Sequence, residues 1–192
     1  MAENGGAASV FAWRIFVSEL VGTALLVLAG LSLVIFMFGE GSPVESLLPS
    51  EASRRLITGF LFGTIGALIA LSPVGMRSGA HINPVVTLAF RLMGKLDLRT
   101  TLGYIVAQLI GAVVGSLPLF MWGPMGKSVA FGATLPGSGT TFSMVFLGEM
   151  ITTFTMVALL AVFLGTPVMA QQRLVDTVSV PVPNFLKGTM CF

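Results

Sequence analysis

SGAHINPVVTLAFRL, residues 78–92, decides the fold. The stretch is apolar enough to enter a bilayer, but at about fifteen residues it cannot cross one, because a spanning helix needs about 20. Asn is a favoured helix N-cap. Pro suits the first helical position, where its missing N–H would have no partner anyway. Asn83-Pro84 therefore opens a short helix, predicted from Pro84 to about Met93. Charge returns only at Arg91 and Lys95, the pattern of a segment that dips into the membrane and leaves by the face it entered.

On either side of this stretch the chain carries four apolar runs of spanning length, at 15–38, 56–74, 101–122 and 142–165. They predict an all-α membrane protein, since helices satisfy their own backbone groups where no water can. The first run is too long for a signal-peptide core and lacks a small-residue cleavage pattern, so it reads as a retained span. Composition agrees: 55% of the 192 residues are hydrophobic and 9% charged, against about a quarter charged in soluble domains. A net charge of +2 with no basic run excludes nucleic acid as a partner. His81 is the sole histidine, so neither a histidine metal cluster nor a Ser-His-Asp arrangement with a spare base can be assembled. Cys191 is the sole cysteine, which rules out a disulfide within the chain.

Arg77, Arg91, Lys95 and Arg99 gather between the second and third spans, while 120–141 holds only Lys127. Positive charge on short loops marks the cytoplasmic side, so the re-entrant segment and the N-terminus beside Arg14 are expected there. Arg54 and Arg55 fall on the expected outer face and run against the trend. Glu19-Leu20-Val21-Gly22-Thr23 is echoed by Glu149-Met150-Ile151-Thr152-Thr153, 130 positions later. A three-span repeat inserts its second copy upside down, giving an inverted repeat. The same offset carries Asn83 past Phe192, so the repeat is expected to be incomplete.

SGAHINPVVTLAF resembles the first signature loop of the major intrinsic proteins, the aquaporin and glycerol-channel family, whose pattern is close to SGAHxNPAVT. ELVGTALLVLAG at 19–30, YIVAQLIGAVVG at 104–115 and the Glu149 segment follow in the family's order, a likeness running from Arg14 to Gly165. The resemblance implies an aquaporin-like fold with four transmembrane helices and one re-entrant half-helix. Residues 1–167 would form the transmembrane domain and 168–192 an irregular tail. It also implies passive transport of water or small neutral solutes such as glycerol, no cofactor, membrane lipid as surroundings, and a homotetramer at full length. A bacterial inner membrane is the favoured location. Val85 stands where the family has alanine, and the second Asn-Pro-Ala falls outside the sequence.

By that resemblance Asn83, Pro84, Val85, His81 and Phe62 line the pore, with Asn83 donating its amide to a passing oxygen. Gly63 competes with Phe62 for the filter position, because the loop leading to Asn83 is one residue longer than the family's. Glu19, Glu149 and Gln108 support the re-entrant loop. The carboxylates lie within spans, where a charge must be paired, hydrogen-bonded or protonated, so proton carriage is the competing role. His81 either lines a vestibule or shapes the loop by a hydrogen bond. Gly59, Gly63, Gly66, Gly111 and Gly115 suit close helix crossing, and Trp13 and Trp122 suit the membrane interface. Two other functions stay open: a proton-coupled secondary transporter, and an inactive or partner-dependent fragment with poor water permeation.

Overall fold

The computed structural model describes residues 4–137 and 139–165, and every regular element among them is helical. Four stretches are long and apolar enough to cross a membrane: Trp13–Phe38, Glu51–Leu71, Leu98–Ser128 and Phe142–Val162. The chain is a multi-pass membrane protein. It divides into two compact units, Met1–Gly137 and Ser138–Phe192, each described by itself. The expected tail at 168–192 lies outside the described residues.

In the first unit α1 (Asn4–Phe38) is the central post, with α3 (Glu51–Leu71) and α6 (Leu98–Ser116) packed on it. Small residues set both crossings. Down α1, Gly22 meets Ile69, Leu26 meets Gly66, and Gly30 meets Phe62, so α3 runs antiparallel to α1. Leu20 meets Gly111 and Ala24 meets Gly115, so α6 runs parallel. A Cβ on Gly111 would sit 2.3 Å from the Leu20 carbonyl oxygen, and one on Gly115 2.3 Å from that of Ala24. The two glycines, four apart on one face of α6, let the backbones touch. Lipid tails supply no hydrophobic force between helices, so this intimate contact is what holds them. Gly59 and Gly63 are expected to do the same, but a Cβ on either would meet no described atom within 4 Å, so they make no close crossing here.

The second span ends at Leu71, earlier than the expected Val74, because Ser72-Pro73 starts a separate helix. Ser72 Oγ accepts the Gly75 N–H at 3.2 Å and Pro73 takes the first helical position of α4 (Pro73–Ser78). The third span is longer than expected: α6 passes through a 3-10 turn at Leu117–Trp122 into α7 (Gly123–Ser128). Near the expected outer end, Trp122 Nε1 donates to Ser32 Oγ (3.0 Å) and the Glu40 N–H to Ser128 Oγ (2.9 Å). A short helix α2 (Pro43–Leu47) bridges α1 to α3. Arg54 is folded in beneath it, donating to the Leu48 carbonyl at 3.1 Å and lying over the Phe38 ring. Arg54 is thus a packing residue, which explains its position against the charge trend.

Asp97 caps α6, accepting the Thr100 N–H at 2.9 Å and the Thr100 hydroxyl at 2.6 Å. Those bonds, the hydroxyl's first, hold its carboxyl below the usual aspartate range. The sign follows: a depressed folded-state value stabilises above the unfolded value and is lost as pH falls through the folded one. Thermal unfolding of the protein between pH 3 and pH 6 is expected to show this acid loss. Asp97→Asn, which keeps the cap without the titration, should flatten that part of the profile.

Candidate functional site

After α4 the chain does not recross. Gly79–Asn83 runs as non-helical backbone to α5 (Pro84–Leu92), which packs on α6. Asn83 opens α5 as the residue types predict. Its Oδ1 accepts the Val85 N–H at 2.8 Å, and its carbonyl accepts the Thr87 N–H at 3.0 Å. With Oδ1 committed to the cap, the side-chain NH₂ of Asn83 donates to no group among the described residues. Pro84 and Asn83 are half-buried, and Val85 is exposed beside them.

The segment before Asn83 is strained, with Ala80 at φ 48° and Ile82 at φ 40°. For a β-branched residue such as Ile82 this is a rare conformation, costing about 1–3 kcal/mol. Its effect is to turn successive backbone amides to one side. The His81 N–H reaches Glu19 Oε1 at 3.0 Å, and the Ile82 N–H reaches Oε2 at 2.7 Å. The Ser78 hydroxyl adds a bond to Oε1 (2.7 Å) and Gln108 Nε2 one to Oε2 (2.7 Å). Glu19, 0% exposed, is satisfied by four donors. Charge-assisted bonds of this kind are about twice as strong as neutral ones, and they offset the strain and the burial of the carboxylate.

Gln108 extends the network. Its Nε2 also donates to Thr87 Oγ1 at 2.9 Å, and Thr87 donates to the Asn83 carbonyl at 3.2 Å. Its Oε1 is buried without a partner among the described residues. That orientation is forced, since turning the oxygen toward Glu19 would set two acceptors against each other. Glu19, Gln108 and Thr87 thus form one chain of contacts running from α1 through α6 to the first turn of α5.

His81 lies behind the segment, 7% exposed, with Nδ1 3.2 Å from Thr87 Oγ1. Its ring packs on Phe90 (4.3 Å between centroids) and edge-on to Tyr104 (5.2 Å). Its ring contacts are thus with Thr87 and Phe90 of α5 and Tyr104 of α6. Phe62 rests its ring edge against Gly30 of α1, half-buried, while Gly63 is exposed. Glu149 is exposed on α8 (Phe142–Gly165) beside Phe146, Met150 and Thr153, in the second unit. Sequence reasoning misses Ser78, Thr87 and Tyr104. Tyr104 donates its hydroxyl to the Ser78 carbonyl at 2.6 Å. The signal for two of them is spacing: Thr87 is one turn after Asn83, and Tyr104 one turn before Gln108 on the same face of α6.

The family described as Major intrinsic protein matches residues 7–180. Among curated proteins, the probable aquaporin AqpM of Archaeoglobus fulgidus is 37% identical over 163 residues, covering 80% of this chain and 65% of the relative. Aquaporin-5 of Ovis aries is 34% identical over 137 residues, or 70% of this chain and 49% of the relative. The lens fiber major intrinsic protein of Gallus gallus is 30% identical over 145 residues, 72% and 51% respectively. The chain thus spans about half to two thirds of the length of these relatives.

Proposed function

The chain belongs to the major intrinsic protein family, and from that premise we propose that its re-entrant segment forms one wall of a passive transmembrane channel for water or small neutral solutes such as glycerol. The observation that carries this is the state of Asn83: its oxygen is spent on the helix cap, so its NH₂ is left to donate to a passing oxygen. The N-terminus of α5 adds about half a positive charge at the same point, which orients water and opposes cations and protons. Val85, exposed next to Asn83, and Phe62 complete the proposed lining with Pro84. His81 shapes the loop from behind.

Glu19 and Gln108 act as supports in this reading rather than as proton carriers, since all four donors to Glu19 come from the loop, Ser78 and Gln108. Glu149 is proposed to serve the matching role in the second repeat. No catalytic step or cofactor belongs to the function. The protein sits in a cell membrane, a bacterial inner membrane by preference, with a cytoplasmic N-terminus, and assembles as a homotetramer.

Stopped-flow light scattering of proteoliposomes tests the reading. Osmotic water or glycerol flux above that of empty vesicles, without dependence on a pH gradient, is the expected result. Asn83→Asp preserves an acceptor for the Val85 N–H but replaces the donor with a negative charge, and it should cut that flux roughly tenfold or more. Flux that requires a pH gradient would make the protein a transporter. No flux from either form would favour a partner-dependent role.

A further inference from the structure

A groove of about 430 Å³ runs along the outside of the α1/α6 pair. It is walled by Phe16, Val17 and Leu20 on one side and by Leu102, Val106 and Ile110 on the other, with no polar side chain in it. On α1 these residues continue a stripe that begins one turn earlier at exposed Trp13. On α6 the stripe begins one turn before Gly103, at exposed Arg99. Because the two helices run parallel, Trp13, Arg14 and Arg99 come to the same end of the groove. That end of the first unit also carries Arg77, Arg91 and Lys95, and of the acids nearest to it Asp97 has its carboxylate turned to Thr100 and Glu19 is buried among its four donors.

An apolar trough that opens under an indole and a cluster of cations has the chemistry of a phospholipid with a net negative head group. We propose that this groove holds an acyl chain of an anionic phospholipid, its phosphate bound by Arg99 and Arg14 and its glycerol region covered by Trp13. Juxtamembrane cations attract anionic head groups, and an acyl chain gains from continuous apolar contact that a bulk lipid position lacks. The proposal rests on the membrane embedding of the chain and not on what the channel passes.

Native mass spectrometry of the full chain, released from detergent with dioleoyl phosphatidylglycerol or dioleoyl phosphatidylcholine at equal concentration, tests it. Binding of the anionic lipid is expected to be on the order of tenfold tighter, the effect of one to two surface cations. Arg14→Gln with Arg99→Gln, both exposed and with side chains that make no bond among the described residues, should erase the preference while leaving helix content unchanged. Val106→Trp, which fills the groove, should weaken both lipids, and glycerophosphoglycerol, the head group without chains, should not bind. Equal affinity for the two lipids, or a preference that survives the double arginine change, would overturn the proposal. So would a Val106→Trp form that loses a dimer instead of a lipid, since the groove would then be an interface between copies. Water flux is read in a separate assay, so failure here leaves the channel reading standing and failure there leaves this one.

Discussion

Glu19→Gln is expected to destabilise the first unit by about 3–5 kcal/mol. A glutamine oxygen still accepts from two donors, but its NH₂ takes the place of the other carboxylate oxygen and meets the remaining pair head-on. Gln108 can turn its Oε1 toward the new NH₂, but only by withdrawing its own NH₂ from Thr87 into the buried spot where Oε1 had no partner. The Ile82 N–H cannot turn, because it is fixed by the backbone that carries it. Leaving one amide orphaned costs about 1–3 kcal/mol, and the bonds that survive lose their charge assistance, at about 1 kcal/mol each. The strain at Ala80 and Ile82 is then no longer offset, and the segment leading to Asn83 should loosen while the spanning helices persist. Unfolding in mixed dodecyl-maltoside and dodecyl-sulfate micelles, followed by circular dichroism, measures the loss. A variant of normal stability with a new proton leak would instead make Glu19 a carrier.

Gly111→Val and Gly115→Val are expected to cost about 2–3 kcal/mol each in the same assay. Each new Cβ would sit 2.3 Å from a backbone carbonyl oxygen of α1, and backbone cannot swing aside as a side chain can. The helices must separate, which forfeits packing along the whole crossing and displaces Gln108 from Glu19, one turn from Gly111 and two from Gly115. Gly63→Ala is the matched control. Its Cβ meets no described atom within 4 Å, and alanine favours helix over glycine by about 1 kcal/mol, so it should be neutral or stabilising. If all three variants behave alike, glycine spacing has no part in the α1/α6 contact.

How far these features can be read from sequence depends on whether their cause is local. The Asn83-Pro84 start of α5 is legible because capping and the proline ring act within four residues. The membrane class and the four spans are legible because length and hydropathy alone set them. The break after Leu71 is written in Ser72-Pro73 but is hidden by the apolar run around it. Glu19 can be recognised as an acid that needs partners. Which partners it has is not legible, because Ser78, His81, Ile82 and Gln108 lie 59 to 89 positions away. The same holds for the glycines: spacing nominates five, and only the helix crossing separates Gly111 and Gly115 from Gly59 and Gly63. Charge alone puts Arg54 on a surface, whereas the Leu48 carbonyl and the Phe38 ring draw it inside.

One buried carboxylate fixes the strained backbone from which Asn83 starts its half-helix. Residue-resolved hydrogen exchange of the His81 and Ile82 amides, by NMR in lipid nanodiscs, tests it most directly. Both amides should exchange as slowly as those in the middle of α1, and in Glu19→Gln they should speed up on the order of a hundredfold while α1 stays protected. Exchange of His81 and Ile82 in the wild-type protein at the rate of the exposed loop amides of Thr134 and Leu135 would contradict the account.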